Sequence, residues 1–398
     1  MSPTADRRLP EHADVVIVGG GVMGASIAFH LAEAGVTDVL LLERDQLGAG
    51  STSRAAGGVR AQFSDPVNVA LGARSLRAFE QFGAHPGQEI DLRQVGYLFL
   101  LTDPGQVAVY EESVALQNAM GVPTRLLTAD QAAALSPVVR TDDVLAATFH
   151  PRDGFCSPES VVLGYASGAR RLGATVLTGI EVTGIETTGH ATSRHITAVD
   201  TSAGRVETPT VVCVAGAWSA GIGAMAGVSL PVTPLRRQIL VSEPLGPELL
   251  ARIPESTPMT IDAASTFYLH REGPGLLLGM SYAAEEPGFH LDMSDDWLPD
   301  LTAAIEHRAP ALMDLGMAHG WAGLYEMTPD HNALIGAADS VSQFLYATGF
   351  SGHGFLQGPA IGEVIRDLYL GREPVIDVSP LSADRFDTGA ARGEVNIV

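Results

Sequence analysis

The stretch from Asp14 to Gly24, an unbroken apolar run followed by Gly19-x-Gly21-x-x-Gly24, constrains this chain more than any other segment. Val15 to Val18 carry no polar alternation, as expected of a strand covered on both faces. The first glycine permits a tight turn, the second lets backbone approach a pyrophosphate, and the third lets helix and strand pack closely. Ala25 to Ala34 have helical composition, and Gly35 follows as a C-terminal stop. Val39 to Leu42 form the next apolar strand, ending at Glu43, about 20 residues beyond the glycines. A carboxylate there accepts hydrogen bonds from ribose hydroxyls and repels a 2′-phosphate. The unit reads as one right-handed βαβ crossover, with unpaired amides at Val22 and Met23 facing phosphates. It predicts an adenine dinucleotide and does not choose between NAD and FAD.

A length of 398 residues suits two intimately joined domains better than one core. With 46% hydrophobic and 18% charged residues, the chain can bury a large interior, which excludes general disorder. The formal charge of -22, from 46 acids against 24 bases, repels phosphate backbones and anionic membranes, so no nucleic-acid partner is expected. Cys156 and Cys213 form no CxxC pair, so no metal site is expected and a reduced cytoplasmic setting fits. No apolar signal core follows Arg7 and Arg8. Val211 to Val232 is rich in Ala and Gly and contains Trp218 and Ser219; it reads as a buried strand and turn, with no membrane span expected.

Ser157 to Leu172 predicts a helix capped by Ser157, and Thr175–Leu177, Glu181–Glu186, His195–Thr201 and Thr210–Val214 predict short strands. Between Gln94 and Phe149, and again between Pro231 and Gly323, the pattern changes. Strand-like pieces at Tyr97–Leu101, Gln238–Ser242, Thr266–His270 and Leu276–Met280 alternate there with helices, as in one inserted domain assembled from separated segments. The tail after Asp377 is weakly patterned and is expected to fray.

Three further segments choose the cofactor. Gly48-Ala49-Gly50-Ser51-Thr52-Ser53-Arg54-Ala55-Ala56-Gly57-Gly58-Val59-Arg60 runs small and polar into glycine. Val211 to Val214 lead into Ala215-Gly216-Ala217-Trp218-Ser219, and Ala347-Thr348-Gly349-Phe350-Ser351-Gly352-His353-Gly354-Phe355-Leu356-Gln357-Gly358-Pro359 opens a late helix. With the first motif, these resemble the D-amino-acid oxidase superfamily from Asp14 to about Gly371, and within it the glycine oxidase, sarcosine oxidase and dimethylglycine dehydrogenase branch.

The resemblance implies an α/β fold: a Rossmann-like FAD-binding domain with an inserted mixed-sheet α+β substrate domain. It assigns residues 13–93, 150–230 and 323–376 to the FAD domain, 94–149 and 231–322 to the substrate domain, and 377–398 to a tail. The implied FAD contacts are the Gly19–Gly24 turn, Glu43 and Arg44, then Ser51, Ser53, Arg54, Gly57 and Gly58. Val182, Ala215, Gly216 and Trp218 follow, with the turn from Gly352 to Gln357 beside the flavin. Trp218 also reads as a core residue. At that last turn the helix start would stabilise the negative charge of reduced flavin.

The implied reaction oxidises the C–N bond of a small amino acid such as sarcosine, proline or glycine to an imine, by hydride transfer to flavin N5. The carboxylate of such a substrate needs a cationic partner, best an arginine fork. Arg60 matches the carboxylate-binding arginine of sarcosine oxidases, and reads equally as a structural ion pair in its loop. Tyr325 stands where glycine oxidases and D-amino-acid oxidases carry that arginine; sarcosine oxidases have tyrosine there. Tyr268 is expected as a hydrogen-bonding lid or a core residue, and His353 against the flavin or as a turn residue. Leu356 replaces a second carboxylate-binding lysine of monomeric sarcosine oxidases. Leu277 replaces a lysine that helps oxygen react, which favours a dehydrogenase or a slow oxidase. Arg54 and Gly323 occupy places where relatives attach FAD through histidine or cysteine, so non-covalent FAD is expected. The electron acceptor, oxygen or another, stays open, as does a homo-oligomer or partner subunit. Two other readings keep the fold: a 2-hydroxy-acid dehydrogenase, and a partner-dependent electron-transfer or assembly flavoprotein.

Overall fold

The computed structural model describes residues 8–190 and 193–396. The N-terminal stretch read for a signal core falls mostly outside them, at residues 1–7.

Val15–Val18, Val39–Glu43, Val211–Cys213, Phe344–Thr348 and Thr175–Thr178 form a parallel sheet, with Leu334–Ala337 added antiparallel at one edge. The order runs Leu334–Ala337, Phe344–Thr348, Val211–Cys213, Val15–Val18, Val39–Glu43, Thr175–Thr178. Its central strands are apolar on both faces because helices Val22–Glu33, Pro158–Arg171 and Gly354–Tyr369 cover one side, while the sheet of Val182–His190, Ser193–Thr201 and Gly204–Glu207 lies towards the other. Helices Val22–Glu33 and Gly354–Tyr369 touch through small residues. A Cβ on Gly358 would stand 2.6 Å from Val22, and one on Gly362 would stand 2.2 Å from Ser26 Oγ. Ser157 caps Pro158–Arg171 as predicted, accepting from the Ser160 amide.

The inserted region builds a second, eight-stranded sheet. Its order is Met317–Met327, Thr233–Ser242, Gly275–Met280, Tyr268–Glu272, Met259–Asp262, Tyr97–Leu101, Ala146–His150 and Arg125–Leu127. All pairings are antiparallel except that of Met259–Asp262 with Tyr97–Leu101, which makes the sheet mixed. Helix Leu298–Arg308 packs Leu301 and Ile305 onto one face, beside Leu269 and Leu278. The outermost strand carries this sheet on to Met327, past the boundary placed at residue 322.

The tail does not fray. It forms short turns at Ser379–Leu381 and Arg385–Thr388 and then runs extended to a buried Glu394. Polar contacts hold it where apolar periodicity is lacking. Arg385 forks onto Asp330 at 2.8 Å through two nitrogens. Glu394 accepts from the amides of Ser64 and Asp65 and from Asn68 Nδ2. Both cysteines are free and buried. Among the described residues, no helix is long and apolar enough to cross a membrane.

Candidate active site

The two sheets face each other across one cleft of about 460 Å³. It runs from Gly19–Gly21 past Trp218 to Arg60, Tyr268 and Tyr325.

The floor is backbone. Gly19 sits at φ +119°, and a Cβ there would meet Val214 O at 2.4 Å. A Cβ on Gly24 would stand 1.9 Å from Gly19 O, so the third glycine serves the packing of helix on turn and does not line the cleft. Gly21 leads helix Val22–Glu33 without a side-chain cap. Thr52 Oγ1 takes the Val22 amide at 3.2 Å, and the next amides of the first turn point out of the helix start without an intrahelical partner. Glu43 lies at the cleft with one oxygen on the Gly20 amide at 2.7 Å and the other on Asp45. Arg44 lies 4.0 Å over the half-buried Trp218 ring, which stacks on Phe289, so Trp218 forms cleft wall and not core. Val182, Ala215 and Gly216 complete that wall. The cleft therefore fits a dinucleotide: glycine turns too close for any Cβ, an uncapped helix start, and a carboxylate about 20 residues on.

Further along, Ser51 Oγ donates to Leu324 O at 2.6 Å, and Arg54 Nη1 donates to Ala322 O at 2.8 Å, tying the glycine loop to the second sheet. Arg54 and Gly323 touch: a Cβ on Gly323 would stand 2.9 Å from Arg54 Cβ. Neither offers a thiol or imidazole for a covalent link. Gly57 and Gly58 are similarly crowded, by Cys156 O and the Tyr97 hydroxyl. The Gly352–Leu356 turn opens helix Gly354–Tyr369, again without a side-chain cap. Gly352, at φ +99°, lies under the Tyr325 ring, where a Cβ would come within 2.3 Å. Leu356 keeps its place at the cleft and brings no charge. Ser53 and Gln357 do not line this cleft. Ser53 faces a second cavity of about 420 Å³, and Gln357 is buried with Nε2 on Asn68.

At the far end, side chains dominate. Arg60 is 6% exposed, donates to the carbonyls of Gln62 and Asn396, and stacks 4.1 Å over Phe63. Its loop is fixed from below by buried Asp153, which accepts from the Ala61 amide, Gln62 Nε2 and His150 Nδ1. Burial holds the Tyr325 and Tyr268 phenols above their ordinary range, so both stay protonated donors. The Tyr268 ring packs onto Gly279. His353 is buried against Phe63, and its Nε2 has no partner among the described residues. Burial, aided by the Arg60 cation, depresses it to about 3, leaving a neutral imidazole. The exposed group His12, Asp14 and Asp38 has metal-ligand types, and its His12–Asp38 contact spans 3.1 Å at the surface.

Among the lining residues that escaped the sequence reading, two carry polar groups at the far end of the cleft. Tyr97 lines the cleft beside Gly58, and Arg237 reaches it from the strand Thr233–Ser242. Arg237 shares a strand face with Ile239, another lining residue, so period-2 reading would have found it. The predicted strand began at Gln238 and left it out.

A model of the family described as FAD dependent oxidoreductase matches residues 14–368. The chain is 28% identical to mitochondrial dimethylglycine dehydrogenase of Rattus norvegicus over 97% of its own length and 46% of that protein's. It thus spans less than half of that relative. It is 32% identical to FAD-dependent oxidoreductase domain-containing protein 1 of Xenopus laevis, over 100% of this chain and 87% of that one. Among solved structures, L-proline dehydrogenase from P. horikoshii superposes with a TM-score of 0.89 at 32% identity, covering 96% of this chain and 100% of the other.

Proposed function

The chain belongs to the FAD dependent oxidoreductase family, and from that membership we propose that it oxidises the C–N bond of a small amino acid of the sarcosine, proline or glycine kind. FAD is the cofactor of the family, and the reading takes it as non-covalently held. The observation that carries the proposal is the continuity of the cleft, which joins a dinucleotide cradle to an arginine and two phenols in one space. The similar proteins include enzymes whose names specify dimethylglycine and L-proline as substrates, both carrying one carboxylate beside a substituted amine.

The residues divide the work. Arg60 presents a fixed guanidinium to the carboxylate, pre-set by two carbonyls and the Phe63 face. Tyr325 and Tyr268 donate hydrogen bonds across the cleft and close it against water. Neutral His353, next to the helix start at Gly354, presents an uncharged imidazole whose Nε2 has no partner among the described residues. Bound FAD supplies the two-electron acceptor for the C–N bond. Leu277 is buried and apolar at the place of the oxygen-assisting lysine of related oxidases, which supports an acceptor other than oxygen. A charge of -22 and two unpaired cysteines support a cytoplasmic location.

Product analysis with an artificial acceptor tests the reaction. An aldehyde or keto acid formed with stoichiometric release of ammonia or a primary amine is expected, or, for a cyclic amine such as proline, a cyclic imine in equilibrium with its ring-opened amino carbonyl form. A keto acid formed from a 2-hydroxy acid, with no turnover of amines, contradicts it.

A further inference from the structure

Several buried or half-buried arginines face a carboxylate: Arg308 pairs with Asp262 and Asp143, Arg385 with Asp330, and Arg236 with Glu285. The buried Arg60 and half-buried Arg237 make no ion pair among the described residues, nor do Arg54, Arg194 and Arg271; of these five, Arg60 and Arg237 line the cleft at its Tyr268 and Tyr325 end.

Arg237 is the less satisfied of the two. Its Nη1 donates to the carbonyl of its neighbour Arg236, its Nε is buried without an acceptor, and its guanidinium lies 5.2 Å from the Tyr325 ring centre. Burial pushes it down from its ordinary value, with Tyr325, Glu285 and Tyr268 acting the other way. Glu285 is already paired with Arg236 at 3.0 Å. Glu326 also lines the cleft, but its carboxylate accepts from Thr348 Oγ1 and the Gly349 amide. Tyr325 lies within the electrostatic reach of both cations and lines the same end of the cleft.

At its far end, in a strongly acidic protein, the cleft thus keeps two guanidinium groups without a carboxylate partner among the described residues, Arg60 from the glycine-loop side and Arg237 from the eight-stranded sheet. An amino acid with a single carboxylate and a neutral amine would compensate one and leave the other desolvated and unpaired, which is costly. A ligand with two carboxylates pairs both, and each pair adds charge-assisted hydrogen bonds.

We propose that Arg237 binds a second carboxylate of the substrate, so that the amino acid oxidised here is an amino dicarboxylate anchored by Arg60 and Arg237 together. This rests on the amine-oxidation reading and narrows its substrate class.

The test compares sarcosine and N-methylalanine with N-methylaspartate and N-methylglutamate, both enantiomers, on FAD-loaded wild type, Arg237→Met and Arg237→Lys. Flavin absorbance checks that each variant holds its cofactor. Wild type is expected to favour a dicarboxylate in kcat/KM by about 10-fold or more. Arg237→Met should lose about 10- to 100-fold on that substrate, chiefly in KM, and change less than about 3-fold on sarcosine. Arg237→Lys should restore part of the loss. Equal losses on both classes would make Arg237 structural and overturn the proposal, as would a monocarboxylate used as well as any dicarboxylate. Reduction by none of these four, nor by proline or glycine run beside them, would instead overturn the amine reading itself, and this inference with it.

Discussion

The two sheets build opposite kinds of wall around the same cleft. On the six-stranded side the surface is mostly backbone, with glycines at 19, 57, 58 and 352 pressed so close to carbonyls or rings that a side chain has no room. On the eight-stranded side it is side chains, with Tyr97, Arg237, Tyr268 and Tyr325 reaching in from four strands. Backbone amides and helix starts recognise what every dinucleotide shares, while projecting phenols and guanidinium groups select one small molecule. On the proposed reading, the first wall holds the cofactor and the second selects the substrate.

Breaking the backbone wall should have the largest effect. Gly19→Val adds a Cβ that would stand 2.4 Å from Val214 O on a backbone at φ +119°, so the purified protein should come out colourless. Retention of stoichiometric FAD would refute the division. Arg60→Ala should leave FAD bound and raise substrate KM by about 10- to 100-fold, as measured by steady-state kinetics. Unchanged KM would move the carboxylate contact elsewhere.

The tail sharpens the comparison because it supports the side-chain end from behind. Glu394→Ala leaves the Ser64 and Asp65 amides and Asn68 without their acceptor, costing about 1–3 kcal/mol in urea unfolding of the holoprotein. A neutral result would make the tail ornamental.

Buried histidines set a pH signature. Burial depresses His270 to about 4 and His353 to about 3, from an ordinary 6.5. Below pH 6.5 the unfolded chain takes up protons that the fold refuses, so stability is whole above that pH and falls as pH drops towards 4 and 3. Thermal unfolding between pH 7.5 and 5 should show the loss, and His353→Asn should reduce it. The smallest effect belongs to Trp218→Ala. Removing a ring that stacks on Phe289 under Arg44 should weaken FAD binding by a few-fold in a fluorescence titration.

Legibility followed the same split. The βαβ unit was readable because a glycine that cannot bear a Cβ leaves a local signature, and the helix at Pro158–Arg171 because its cap is three residues from its partner. Arg60 and Tyr325 were found through resemblance to known enzymes, not through any pattern of their own. Arg237 was missed because the predicted strand began one residue too late, and Tyr97 because which face of Tyr97–Leu101 meets the cleft is set by its pairing with Met259–Asp262 and Ala146–His150, far away in sequence. The tail misled for a related reason. Glu394 is held by Ser64, Asp65 and Asn68, more than 300 residues away in sequence, and such contacts leave no periodicity to read.

Anaerobic titration of the purified yellow protein with sarcosine, proline, glycine, D-alanine and N-methylaspartate tests the central claim most directly. Bleaching of the flavin band by at least one of them, with slow recolouring in air, is the predicted result. A protein that holds FAD in this cleft and is bleached by no amino acid would contradict the claim that the cleft oxidises a C–N bond.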